Sequence, residues 1–85
     1  MLFSLASCLL ERVAKPLRHQ DIIGEAIRRF RKSAKLSQEE LAEKADLHPV
    51  YIGELERGEE TASVSALIRI SKALGVRVRD LVDEL

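Results

Sequence analysis

The chain has 85 residues, of which 14 are Lys or Arg and 14 are Asp or Glu, so its formal net charge at pH 7 is zero. This length is enough for one small domain and leaves little room for the cleft of an enzyme. The balanced charge excludes a chain-wide positive surface, so any surface that binds nucleic acid has to be local.

The N-terminal stretch MLFSLASCLLERV, residues 1–13, is strongly apolar. Apolar residues recur in it at helical spacing: Leu2, Ala6, Leu9 and Val13. This spacing predicts a helix that ends near Pro16, with a stripe that packs on the domain or across a dimer axis. The stretch is too short to span a bilayer. We therefore assign residues 1–19 to an apolar helical extension.

Two other interpretations of this extension stay open. Residues 5–8 resemble a lipoprotein cleavage box, although only four residues, none of them basic, come before it. The extension would also arise from a start codon assigned too far upstream.

The next predicted helix has one apolar face, formed by Ile23, Ile27, Phe30 and Ala34. Residues 28–35 contain five basic residues and no acid: Arg28, Arg29, Arg31, Lys32 and Lys35. Such a run is either the solvated face of a surface helix or a local nucleic-acid patch. The apolar periodicity indicates that most of these basic side chains point away from the core.

A second, short helix is predicted to begin after Ser37. Glu40 follows Ser37 at the spacing of a capping box, in which each side chain accepts a backbone N–H of the other residue. The buried side of this helix is formed by Leu41, Ala42 and Ala45. Asp46 follows at a sharp turn, and aspartate tolerates a left-handed backbone better than most residues.

A third helix is predicted to begin at Pro49, because the fixed φ of proline suits the first helical position. His48 would be its N-cap and Gly58 its terminating glycine. The inward-facing residues are Ile52 and Leu55.

Ser63 predicts the cap of a fourth helix, which ends at Gly75. Its packed residues are Leu67, Ile70, Ala73 and Leu74. A short fifth helix is indicated by Val78, Leu81, Val82 and Leu85. The sequence contains no strand pattern and no internal repeat. It therefore predicts an all-α domain of five helices over residues 20–85, preceded by the extra N-terminal helix.

Three stretches, in this order, resemble the helix-turn-helix domain of the Cro and phage-repressor (XRE) family: LSQEELAEKA at residues 36–45, YIGELERG at 51–58 and LIRISKALGV at 67–76. The resemblance implies a lambda-repressor-like DNA-binding domain with its motif at residues 38–57. Small members of similar size include controller proteins of restriction–modification systems and small antitoxins.

The resemblance also implies roles for particular residues. The family's base-contacting positions correspond to His48, Pro49, Val50, Tyr51 and Glu54. Its DNA-backbone contacts correspond to Gln38, Arg57, Thr61 and Ser63. The positions of a structural ion pair between the first and third helices are taken by Arg31 and Glu56.

Some of these positions depart from the family's usual pattern of Ser, Thr, Gln, Arg or Lys. Pro49 and Val50 have no side-chain donor, although valine can contact a thymine methyl group. Glu54 can accept a hydrogen bond from a cytosine amino group. The acidic pair Glu59 and Glu60 lies near the expected DNA backbone, which it would repel.

The function that the resemblance implies is sequence-specific DNA binding by a cytoplasmic transcriptional regulator. It would act as a homodimer on a pseudo-palindromic operator in double-stranded DNA. The alternative is the same fold used as a protein-interaction module or as an antitoxin-like partner of a second, unknown protein. A membrane is not an expected partner.

Catalytic and metal-binding patterns are not found. His19 and His48 have no acid or thiol at ligand spacing, and no glycine-rich phosphate loop is present. Cys8 is the single cysteine and has no neighbouring base, which fits a small buried side chain in the reducing cytoplasm. We therefore expect a protein that is not an enzyme and that needs no metal or other cofactor.

Overall fold

The computed structural model describes residues 18–85. These residues form five helices and no strand: α1 His19–Ser33, α2 Gln38–Ala45, α3 Pro49–Glu56, α4 Val64–Leu74 and α5 Val78–Leu81. The predicted all-α, five-helix architecture is confirmed. The N-terminal helix predicted to end near Pro16 lies outside the described residues. Between residues 18 and 85, no helix is long and apolar enough to cross a membrane.

A single apolar core joins the five helices. Every helix contributes at least one fully buried large side chain to it: Ile27, Leu41, Ile52, Leu55, Ile70 and Leu81. Burial of each is worth about 1.5–3 kcal/mol. Helices α2 and α3 have eight residues each, which is too short for stability in water alone. Their helical state therefore depends on this shared core.

The two ends of α2 are set by local side-chain chemistry. The Ser37 hydroxyl accepts the Glu40 N–H at 3.0 Å, and the Glu40 carboxylate accepts the Ser37 N–H at 2.8 Å, so the predicted capping box is confirmed. Asp46 ends the helix with φ 58° and ψ 47°, the predicted left-handed conformation. The Leu47 N–H then donates to the Ala42 carbonyl at 2.8 Å, which closes the turn before α3.

Helices α1 and α3 cross at close range at Gly24. A Cβ atom at this position would overlap the carbonyl oxygen of Leu55 and would lie 3.1 Å from that of Glu56. Only glycine therefore allows this approach. The sequence marks Gly24 only as an isolated glycine inside a helical pattern, which is a signal of close packing. The contact holds the C-terminal half of α3 against α1, while the side chains of His48 and Val50 at the other end are exposed.

The last helix is shorter than the sequence pattern predicts. It ends at Leu81, which is fully buried, because Val82 takes φ −113°, outside the helical range. Val82 is half-buried, and Leu85 exposes 56% of its surface. Ala34, predicted on the apolar face of α1, is exposed as the residue that ends this helix.

Candidate nucleic-acid interface

Helix α3 begins with a side-chain cap. His48 Nδ1 accepts the Val50 N–H at 3.1 Å, and Pro49 occupies the first helical position, so the predicted N-cap is confirmed. Because Nδ1 is the acceptor, the neutral imidazole carries its proton on Nε2. The exposed ring of His48 therefore has an N–H donor left for a ligand at the start of α3.

The predicted base-contacting residues differ in their exposure. Val50 exposes 59% of its surface, and His48 is also exposed. Pro49, Tyr51 and Glu54 are half-buried, and Tyr51 packs against the core. The outer side of α3 thus presents one exposed apolar side chain together with imidazole, phenol and carboxylate groups that can form hydrogen bonds.

Arg31 of α1 and Glu56 of α3 form a buried ion pair. Arg31 Nε donates to Glu56 Oε2 at 2.6 Å, and Nη2 donates to Oε1 at 2.9 Å. Only 12% of the arginine side chain and 3% of the glutamate side chain are exposed. The remaining arginine nitrogen, Nη1, donates to the Leu36 carbonyl at 2.8 Å. The hydrogen bond to Glu56 raises the pKa of Arg31 above its ordinary value.

The same carboxylate also holds Gln38, the first residue of α2. Gln38 Nε2 donates to Glu56 Oε1 at 3.0 Å. A side-chain amide nitrogen carries two hydrogens, so the second remains available to an acceptor such as a phosphate oxygen. The buried pair therefore fixes the position of the glutamine for which the family resemblance implies a DNA-backbone contact.

A shallow cleft of about 260 Å³ joins the start of α2 to the outer side of α3. It is lined by Gln38, Glu39, Pro49, Val50, Gly53 and Arg57. A Cβ atom on Gly53 would lie 3.1 Å from Arg57 Nη1 and 3.5 Å from Gln38 Oε1. The absence of a side chain at Gly53 thus lets both Arg57 and Gln38 come close to the backbone of α3. Two predicted backbone-contacting residues and two predicted base-contacting residues therefore share one cleft.

Arg57 has an acidic partner in the free chain. Its Nε donates to Glu59 Oε2 at 2.9 Å, and Nη2 donates to Oε1 at 3.2 Å, with both side chains about half exposed. This hydrogen-bonded pairing raises the pKa of Arg57 and lowers that of Glu59. A phosphate that binds Arg57 has to compete with Glu59, a residue that is not among those predicted as part of the site.

The other two predicted backbone-contacting residues lie in or beside the segment between α3 and α4. Thr61 is exposed in this segment. The Ser63 hydroxyl oxygen accepts the Ala66 N–H at 3.0 Å, which confirms the predicted cap of α4. Because the hydroxyl oxygen is the acceptor, its hydrogen remains available for donation. Among residues 18–85 there is no cluster of three or more His, Cys, Asp or Glu residues able to hold a metal ion.

The sequence pattern of the family HTH_3, described as helix-turn-helix, matches residues 27–81. The matched span contains all of α2, α3 and α4, together with the turn at Asp46. The chain belongs to the HTH_3 helix-turn-helix family. The resemblance to Cro and phage repressors is thereby confirmed, and this family consists of DNA-binding regulators rather than enzymes.

Several relatives of this HTH_3 protein have names that describe control or repression. Control protein C.BamHI of Bacillus amyloliquefaciens is 44% identical over 63 residues, which cover 73% of this chain and 78% of the relative. The immunity repressor protein of Bacillus phage phi105 is 40% identical over 62 residues, covering 73% of this chain and 43% of the repressor. The crystal structure of the restriction-modification controller protein C.AhdI from Aeromonas hydrophila matches with a TM-score of 0.71 and 32% identity, over 73% of this chain and 94% of that one.

Proposed function

We propose that this HTH_3 protein is a cytoplasmic transcriptional regulator, without enzymatic activity, that binds a pseudo-palindromic operator as a homodimer. The observation that carries this proposal is the cleft shared by Gln38, Val50 and Arg57. It supports the proposal because the side chains expected to bind phosphates lie beside the exposed start of α3. The major groove of DNA admits one α-helix, and phosphates border the groove on both sides. A helix seated in the groove would therefore bring both sets of groups to their ligands at once.

In this proposal, the outer side of α3 reads the base edges. Val50 contacts a thymine methyl group, and Glu54 accepts a hydrogen bond from a cytosine amino group. His48 donates from Nε2 to a base acceptor, and the hydroxyl of Tyr51 serves as donor or acceptor. Pro49 has no polar side-chain group to contribute, so its part is to start the helix and to fill space against the groove.

The DNA backbone is held by groups around this helix. Gln38 offers its second amide hydrogen to a phosphate, and Arg57 exchanges Glu59 for a phosphate. Thr61 and Ser63 add hydroxyl donors from the segment before α4. Such contacts set the position of the protein on the duplex but carry no sequence information directly.

The homodimer follows from the size of the reading surface. One helix spans only a few base pairs, which is too little for specific binding at a single site. Two copies related by a two-fold axis would place their recognition helices about 34 Å apart, one turn of DNA. The operator would then repeat its half-site with inverted orientation.

A protein-interaction module is the second candidate function. Its supporting observation lies on α4, where Val64 and Ile68 are one helical turn apart and expose 72% and 41% of their surfaces. Exposed apolar patches mark sites of protein contact when they are contiguous. The second candidate needs no DNA, so a DNA-binding measurement separates the two.

A salt titration of DNA binding tests the proposed function. The full chain is titrated into a duplex selected from a random pool and into an unrelated duplex of equal length. Neutralisation of phosphates makes the logarithm of the binding constant fall linearly with the logarithm of the salt concentration. A steep slope with preference for the selected duplex supports the regulator. Absent or salt-insensitive binding supports the protein-interaction module.

A further inference from the structure

A second cleft, of about 430 Å³, lies between α1 and the helix-turn-helix. It is lined by Arg28, Arg31, Lys32, Gln38, Glu56 and Arg57. Gln38 and Arg57 therefore belong to both clefts, and the two clefts adjoin at these residues. The basic segment of α1 thus continues the surface on which the proposed phosphate contacts lie.

The charges of this second cleft are unequally compensated. Arg31 is paired with the buried Glu56, and Arg57 is paired with Glu59. Arg28 and Lys32 are exposed, and neither forms an ion pair with any residue between 18 and 85. The uncompensated positive charge beside Gln38 therefore comes from α1.

Arg28 and Lys32 stand four residues apart, so their side chains lie one above the other on the same face of α1. The adjacent Arg29 has different neighbours: its guanidinium lies 5.9 Å from the ring centre of Phe30, and Nη1 is 3.8 Å from Glu84 Oε2. Arg29 does not line the second cleft. Arg29 shares a separate cleft on α1 with Arg28 and Lys32. Of these three residues, only Arg28 and Lys32 also reach the cleft beside the helix-turn-helix.

We propose that Arg28 and Lys32 bind phosphates of the DNA strand that runs past Gln38 and Arg57. This inference rests on the proposed function and extends its backbone contacts from the motif onto α1. The continuity of the two clefts favours a phosphodiester backbone as the occupant, because one strand would fill both. Arginine binds phosphate through a planar fork and lysine as a point charge, so both side chains suit this ligand.

The test is the salt dependence of DNA binding by full-length variants. Arg28→Gln and Lys32→Gln each remove one charge, and Arg29→Gln is the matched control on the same helix. The logarithm of the binding constant falls with the logarithm of the salt concentration, and loss of one phosphate contact makes this slope less steep by about 0.9 per bound protomer. We expect this change for Arg28→Gln and Lys32→Gln on the selected and the unrelated duplex alike, and no change for Arg29→Gln. Arg28→Lys should retain the wild-type slope.

If Arg28→Gln and Lys32→Gln both show the wild-type salt dependence of DNA binding, this inference is overturned and the proposed function stands. Equal reductions in all three glutamine variants would also overturn it, because they would indicate a general charge effect. If the wild-type chain itself binds DNA without salt dependence, the proposed function fails, and this inference fails with it. Glutamine is a good helix former at exposed positions, so thermal melts of the variants should match the wild type.

Discussion

The Glu56 carboxylate and the Arg31 guanidinium are joined by two hydrogen bonds, of 2.6 and 2.9 Å, in a setting where only 3% of the glutamate side chain is exposed. The pair links α1 to α3. Because Oε1 of the same carboxylate accepts from Gln38, one buried group both stabilises the domain and orients an amide toward the proposed DNA backbone. Stability and binding are therefore coupled at this position.

Removal of either partner of this pair should destabilise the domain strongly. Arg31→Met or Glu56→Met leaves one buried charge without its counter-ion, which costs about 3–5 kcal/mol in comparable pairs. The double variant should be more stable than the sum of the two single losses predicts. Urea denaturation of the three variants measures both quantities. Arg29→Met is the control, because its pair with Glu84 is exposed and should contribute less than about 1 kcal/mol. Strictly additive single effects would contradict the pairing.

Gly24→Ala should destabilise the domain although alanine is the better helix former. The new Cβ atom would overlap the Leu55 carbonyl oxygen, and such overpacking costs about 1–3 kcal/mol or more. The gain in helix propensity is only about 1 kcal/mol. Because the clash is with backbone and no side-chain rotation relieves it, the upper end of this cost applies, and we expect a net loss of about 2 kcal/mol or more in thermal or urea unfolding. Glu25→Ala, on the exposed side of the same turn, should stay within about 0.5 kcal/mol of the wild type. A Gly24→Ala protein as stable as the wild type would refute the close helix crossing.

Glu59→Gln should strengthen DNA binding, because it releases Arg57 for a phosphate. The gain expected for an exposed pair is about two- to fivefold in affinity. The pKa of Glu59 is lowered by the hydrogen bond from Arg57, so the pair is present above the ordinary glutamate pKa and is lost as the pH falls through the lowered one. Binding measured near neutral pH therefore examines the intact pair.

The control for this prediction is Glu60→Gln, which removes the same charge from the adjacent exposed residue. In an Arg57→Gln background, the benefit of Glu59→Gln should disappear. A different outcome is that Glu59→Gln and Glu60→Gln raise DNA affinity equally, or that Glu59→Gln still raises it without Arg57. Either result would show that the carboxylates act only by general repulsion of the DNA.

Substitutions on α3 and around it should have different effects on specificity. Tyr51→Ala and Glu54→Ala remove groups assigned to base edges, so they should change the ranking of a panel of duplexes, by about 1–3 kcal/mol at the affected base pair. Gln38→Ala and Arg57→Ala remove groups assigned to phosphates, so they should weaken binding to all duplexes alike. A uniform loss for all four variants would contradict this division of roles.

The features that the sequence predicts well are those decided within a few residues. The capping box of Ser37 and Glu40, the left-handed Asp46 and the cap at Ser63 each depend on neighbours along the chain, and each is confirmed. A capping side chain reaches only a backbone amide two or three residues away, so the spacing of residue types contains the necessary information.

Contacts between helices are harder to predict, because they depend on how closely and at what angle the helices cross. The sharing of Glu56 between Arg31 and Gln38, and the place of Arg28 and Lys32 beside the motif, arise only when α1 is packed against α3. The early end of α5 is a further case: the apolar pattern continues to Leu85, but only Leu81 is fully buried there. A periodic pattern predicts which side of a helix is apolar and does not predict which neighbour covers it.

Recognition of an inverted repeat by two copies of the chain can be measured by selecting binding sites from a random DNA pool with the full chain. If two copies each place α3 in the major groove, the enriched sequences should contain two inverted half-sites whose centres are about 10 base pairs apart. The same pool selected with Glu54→Ala should return half-sites altered at one position within each repeat. Failure of the wild-type chain to enrich any sequence, or enrichment of a single half-site without its inverted copy, would contradict DNA recognition by a homodimer.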